Sequence, residues 1–404
     1  MKPRYILFLL LAVMTAATSC VYDYNPQIEG EGGYVIVEGD IVIGDISSIK
    51  LSYSWTLVDT LATSEERMTV LYGSRMHIED SNGGRYENRI NLPAGALYDP
   101  ATITSPYGNF DMRTADPSLE YRLVIENSRG TYVSSWGKAV SGGQIDSLSY
   151  RISDDHTSMD ILVSTHSSDP QGGYYRWSVN ETWEYHAMAN ALFKYVVIAP
   201  GEGEILPLPD EERTYRCWSN SRRPEIMTGS TMDLKEDRLV DHVLYTLNYQ
   251  DERMSVMYSP EVLQMRIPED AYRYWAVMDR NSHDVGGLFS PEPSELRGNV
   301  VNLDNPDEMV LGYVGVMSIV RKKMYIDNSL VRFYRNLNPD WPELDTLRNP
   351  ADYWLAYHVG KRPAYEVFDE NTGALIGYEW WPSRCLDCRM KGGTLTKPED
   401  WPLK

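Results

Sequence analysis

The chain has 404 residues, of which 42% are hydrophobic and 24% charged, enough apolar material for more than one core and ordinary for a folded body. Its formal net charge is −20. A surface of that sign argues against a nucleic-acid binder, whose affinity rests on clustered Lys and Arg neutralising phosphates.

Lys2 and Arg4 head an apolar run from Tyr5 to Met14, and the small residues Ala17, Thr18 and Ser19 then lead to Cys20. This is the pattern of a secretory signal. Its end resembles the lipobox of bacterial lipoproteins, so residues 1–19 are expected to be removed and Cys20 to carry lipid. The apolar run is shorter than the roughly 20 residues that span a bilayer. Loss of Lys2 and Arg4 makes the mature chain two charges more negative. Residues 20–33, with Asp23, Glu29 and Glu31 among Asn, Pro and Gly, read as a tether.

From Tyr34 the chain alternates β-branched and aromatic residues with polar ones. Strands are predicted at Tyr34–Ile43, Lys50–Val58, Thr69–Leu71, Met76–Glu79, Leu119–Ile125 and Thr131–Trp136, the last two joined by the hairpin sequence Asn127-Ser128-Arg129-Gly130. Short strands at this spacing predict an immunoglobulin-like β-sandwich over residues 34–141. Gly142-Gly143 then opens a larger β-rich domain, residues 142–404. It is expected to hold strands at Arg151–Val163, Tyr174–Tyr185, Val310–Val320 and Lys323–Ile326, with Ala199–Glu212 as a loop. One clear helix follows Pro268, where Glu269 and Asp270 favour the positive end of the dipole and Tyr272, Trp275 and Ala276 recur at helical spacing; Gly286-Gly287 is its expected stop. The fold class is therefore mainly β.

Motifs with chemical meaning are few. No Gly-x-Ser-x-Gly, His-Glu-x-x-His, Gly-x-x-x-x-Gly-Lys or EF-hand pattern occurs. Ser47-x-x-Lys50 and Ser135-x-x-Lys138 lack the companion motifs of a serine acylase. The histidines are scattered, and Cys385-x-x-Cys388 has no second ligand pair, so neither a metal site nor a cofactor is predicted. With Cys20 lipidated, Cys217, Cys385 and Cys388 leave one disulfide and one thiol in an exported chain.

The aromatic usage is informative: 29 Tyr and 11 Trp stand against 6 Phe. Tyr and Trp suit half-wet surfaces because each joins a flat apolar body to a polar tip. Tyr174, Tyr175, Trp177, Trp183 and Tyr185 cluster in one stretch and are the candidate ligand face.

Read together, Tyr174-Tyr175-Arg176-Trp177, Glu181-Thr182-Trp183-Glu184, Gly286-Gly287-Leu288-Phe289, Gly298-Asn299, Leu311-Gly312-Tyr313 and Cys385-x-x-Cys388-Arg389 with Gly392-Gly393-Thr394 and Trp401 resemble an uncharacterised Bacteroidota outer-membrane lipoprotein family, a domain of unknown function often encoded beside TonB-dependent receptors. The resemblance runs from Tyr34 to Trp401. It implies an outer-membrane location and a barrel transporter as partner, and it supplies no catalytic residues. Asp23 stands alone after Cys20, so the cell surface and the periplasmic leaflet both stay open. A bond from Cys217 to Cys385 or Cys388 would pin the C-terminal tail to the second domain, whereas Cys385–Cys388 would close only a small ring.

The expectation for function is a non-enzymatic envelope lipoprotein, an accessory or ligand-binding partner of a TonB-dependent transporter. The alternatives are an exported hydrolase whose catalytic groups converge only in the fold, and a purely structural envelope protein.

Overall fold

The computed structural model describes residues 34–54, 73–89, 105–168, 172–283, 297–334 and 342–402. The lipidation site Cys20, the signal and tether, the strand predicted at Thr69–Leu71 and the helix stop at Gly286-Gly287 lie outside these residues. Strand is the dominant element throughout, as the alternation predicts, and the helix Glu269–His283 is the longest.

The first body holds β1 (Val35–Gly39), β2 (Ile41–Val42), β3 (Ile46–Tyr53), β4 (Arg75–Asp80), β5 (Arg85–Glu87), β6 (Tyr107–Asp111), β7 (Glu120–Asn127), β8 (Gly130–Ser134) and β9 (Gly137–Lys138). One sheet runs β1-β3-β6 and the facing sheet β8-β7-β4-β5, with β9 beside β7. In chain order this partition matches strands A, B and E against G, F, C and C′ of an immunoglobulin-type sandwich. Alternation sets the inner faces: Ser47, Ile49 and Leu51 of β3 are buried while their neighbours face water. Phe110, Ile78, Leu123 and Ile125 join them in one core. Tyr121, at the start of β7, donates its hydroxyl to the Asp116 carbonyl at 2.8 Å, the tyrosine corner of such sandwiches.

The second body holds β10 (Gln144–Ile152), β11 (Ser158–His166), β12 (Tyr174–His186), β13 (Phe193–Ala199), β14 (Glu202–Pro207), β15 (Arg216–Arg222), β16 (Met227–Ser230), β17 (Arg238–Asn248) and β18 (Met257–Ile267). The sheet β10-β11-β17 packs over a larger one built on β12 and β18, which pair from Tyr174 with Ile267 to Glu184 with Met257. The stretch read as one strand from Arg151 is a hairpin. Its turn carries the side-chain bonds of Ser153 and Asp155, and His156 sits at φ 57°. Ala199–Glu212, read as a loop, contains β14, which pairs with β13. Its acidic residues face solvent while Tyr195 of β13 is buried.

Along the chain come β19 (Val300–Asn302), β20 (Val310–Leu311), β21 (Val316–Met317), β22 (Ile319–Lys323) and β23 (Ile326–Asp327). The division drawn at residue 142 is not a division of cores. β19 pairs with β8, while β20 and β21 run parallel to β1 and β2, and Val300, Val310, Val314 and Val316 complete the first core. The motif residues Gly298, Asn299 and Gly312 make this return possible. A Cβ on Gly312 would stand 1.9 Å from the Val37 carbonyl oxygen, and one on Gly298 would stand 1.6 Å from that of Gly312, so only glycine permits the approach. Asn299 then bonds both the amide and the carbonyl of Val314, each at 2.8 Å.

The C-terminal part folds as β24 (Asp345–Leu347), β25 (Lys361–Phe368) and β26 (Leu375–Pro382) with the helix Pro350–His358. Asn349 caps that helix by accepting from the Ala351 amide at 3.1 Å, and Pro350 needs no amide partner at its first turn. Tyr353, Trp380 and Tyr195 form an aromatic core with it. A disulfide between Cys217 and Cys388, 171 residues apart, fastens this part to β15. Cys385 stays outside the bond and is buried beside Trp381 and Leu386.

Candidate functional site

The aromatic stretch of β12 does not form an open face. Tyr175, Trp177 and Tyr185 are buried, and Tyr174 and Trp183 are half-buried. Their polar tips are spent inside: Tyr175 donates to Asp237 at 2.8 Å, Trp177 to Gln264 at 2.9 Å and Tyr185 to the Cys388 carbonyl at 2.9 Å. The reason is position. β12 lies between β15 or β16 and β18, and both of its sides are covered, so residues i and i+1 enter different cores. Tyr174 stacks on Tyr272 of the Glu269–His283 helix at 4.6 Å, whereas Tyr175 and Trp177 face β11 and β17.

The same strand carries an ionic centre. Glu181 is 1% exposed and both its oxygens are engaged. One accepts from Arg223 at 2.8 Å and from Tyr258, the other from Arg253 at 2.6 Å and Ser221 at 3.2 Å. Tyr245 meets Tyr258 at 2.8 Å. Burial, then the neighbouring Tyr245 and Glu181, hold the Tyr258 phenol far above its ordinary range. Two guanidinium groups and two hydroxyls saturate this carboxylate, an arrangement that balances a buried charge and leaves no lone pair for proton transfer.

What the structure leaves open is a pocket where the two bodies meet. It has a volume of about 340 Å³ and is lined by the β1 edge (Ile36–Gly39), by Tyr274, Trp275 and Met278 of the helix, and by Leu311–Tyr313. The helix presents these side chains because Ala271 and Tyr274 are drawn into the core beneath it. Tyr313 donates to Asp270 at 2.7 Å, and Tyr274 packs between Trp275 at 5.2 Å and Tyr313 at 5.3 Å. Burial raises both phenols; Asp270 raises Tyr313 further, while the Gly312 amide partly offsets the rise at Tyr274. Behind the wall, the Arg176 guanidinium lies 4.5 Å over the Trp275 ring and pairs with Asp40 of the first body. Asp40 also accepts from the Gly315 amide at 3.1 Å. Around the pocket Tyr313 and Asp270, and Arg176 and Asp40, are committed to one another, and Glu38, paired with Lys50 at 3.0 Å, is the charged residue on a wall otherwise mostly aromatic and aliphatic. Tyr272 and Trp275 were legible as helix periodicity and Leu311-Gly312-Tyr313 as a motif, but nothing in sequence joins them to β1.

Among the described residues no three His, Cys, Asp or Glu side chains gather as ligands.

The family described as Domain of unknown function (DUF4249) matches residues 21–323. The chain belongs to that family. The DUF4249 match thus takes in both bodies and the pocket, and it stops at the end of β22. Cys385, Cys388 and Trp401, which contributed to the resemblance in sequence, lie beyond it. No curated protein matches the chain.

Proposed function

We propose that this DUF4249 chain is a non-catalytic envelope lipoprotein, lipid-anchored to the outer membrane through Cys20, that serves as an accessory or ligand-holding partner of a TonB-dependent transporter. The observation that carries the reading is the pocket at the junction of the two bodies. Its wall is mainly aromatic and aliphatic, with Glu38 paired to Lys50, so it favours an uncharged apolar or aromatic group. Its walls come from β1, the Glu269–His283 helix and the Gly312 crossing, which are tied by the Arg176–Asp40 pair. A rigid, preformed apolar pocket holds an inserted side chain at low entropic cost. The lipobox-like leader and the family resemblance support the location and the barrel partner.

The test is affinity capture of the tagged full chain from membranes solubilised in mild detergent, with co-purifying proteins identified by mass spectrometry. A TonB-dependent barrel should be recovered. Met278→Glu, which puts a charge in the pocket, should weaken that recovery while thermal stability is retained. Repeated recovery of the chain alone would overturn the partner assignment, and equal recovery by the variant would overturn the pocket's part in it.

A further inference from the structure

A second cavity lies beside the disulfide and is larger, about 680 Å³, within the range of drug-sized ligand sites. It opens between the end of β12, the segment before β18 and the turn from Arg384 to Lys391. Its charges can be accounted for one by one. Glu252 is paired by Lys391 at 2.5 Å. Asp387 is held by both arms of Arg389, at 2.9 and 2.6 Å. His186 meets Glu184 at 3.1 Å, and Glu184 is further held by Arg216 at 3.1 Å and by the Trp401 indole at 2.9 Å. Both acids on the wall are therefore neutralised. Arg384 is exposed at the rim and has neither an ion pair nor a hydrogen bond among the described residues.

Ser255 lines the cavity, but its hydroxyl is buried out of reach of solvent and has no hydrogen-bond partner among the described residues. It makes no bond to His186, so the two do not form a nucleophile and base. Val256, Met188, Met390 and Tyr334 give the remaining wall its apolar character.

We propose that this cavity is a binding site for a small organic carboxylate with an apolar body. The Arg384 fork would take the carboxylate, and the methionine and tyrosine walls the body. A single unpaired cation selects a monoanion over a polyphosphate, and the overall charge of −20 disfavours polyanions at longer range. The inference is independent of the transporter reading, since it uses a different cavity, half of whose lining lies beyond the family match.

Calorimetric titration of the purified full chain tests it. The probes are 3-phenylpropionate and N-acetyl-alanyl-phenylalanine, each against its amide, so that a free acid and a peptide C-terminus are read separately. The expected result is saturable binding of at least one acid and binding of its amide weaker by about tenfold, the size of one charge-assisted hydrogen bond. Arg384→Gln should bring the acid down to the level of the amide. Arg222→Gln, at another exposed arginine, should leave it unchanged. Equal binding of acid and amide, absence of saturation with either acid, or an unaffected Arg384→Gln variant would overturn the proposal. Unfolding curves of each variant separate loss of the site from loss of the fold.

Discussion

Arg176 and Asp40, 136 residues apart in the chain, form an ion pair buried where the two bodies meet, with side chains only 9% and 15% exposed. Removing one partner strands the other. Arg176→Ala should destabilise by about 3–5 kcal/mol, seen as a lowered denaturant midpoint, because Asp40 loses its counter-charge and Trp275 its overlying guanidinium. The double variant Arg176→Met with Asp40→Asn should recover part of that loss. A double variant no more stable than Arg176→Ala would show that the pair is not the coupling element.

The Glu181 centre predicts an asymmetry between its members. Glu181→Gln leaves Arg223 and Arg253 facing a neutral group and should cost about 3–5 kcal/mol, whereas Tyr258→Phe removes one hydrogen bond and should cost about 1–2 kcal/mol. Equilibrium urea unfolding of the two variants gives the comparison. Equal costs would mean that the charge is not what the site balances.

The disulfide joins Cys217 to Cys388, so a peptide map of the non-reduced protein should link those two cysteines. Cys385 should alkylate slowly until the protein is unfolded, because it is buried. In the chain-entropy account, a closure of 171 residues contributes about 5 kcal/mol, so reduction should lower the melting temperature and expose the 342–402 region to protease first. A map linking Cys385 to Cys388 would refute the pairing.

Acid should weaken the fold in two stages. Burial is the largest influence on His77 and His242 and holds both below the ordinary value of 6.5, so the unfolded chain takes up protons first. Their contribution is complete above about pH 6.5 and is lost as pH falls toward their folded values. Burial pushes Glu184 up, but His186, Trp401 and Arg216 outweigh it and hold its carboxyl below the ordinary 4.5. Its stabilisation is present above that value and disappears as pH falls through the lower folded one. Melting temperatures measured from pH 8 to about pH 2 check both. Replacing His77 and His242 with Gln should flatten the curve near pH 6, and an unchanged slope would remove the histidine explanation.

How far the fold could be read from sequence follows from how each stretch is solvated. β3 alternates because one side faces water, and the helix after Pro268 was legible because its charged first turn and aromatic spacing are local. β12 was misread as a ligand face because a strand covered on both sides shows aromatics at successive positions, and sequence does not distinguish a covered aromatic from an exposed one. The pocket was illegible for another reason. Its walls come from β1, the helix and residues 311–313, and the backbone crossing at Gly298 and Gly312 that unites them is a matter of clearance, recorded in sequence only as glycines.

The return of residues 300–317 to the first sandwich has a consequence for the order in which the chain folds as it is made. The core of residues 35–132 lacks four of its valines until a stretch more than 150 residues later has emerged. Until then the edges that β19, β20 and β21 will cover present unpaired amides and carbonyls. The nascent chain therefore emerges with its leading body unfinished, and that body closes only after the trailing one has largely been made. Protection of this interval against edge-to-edge association falls to the solubilising acidic surface.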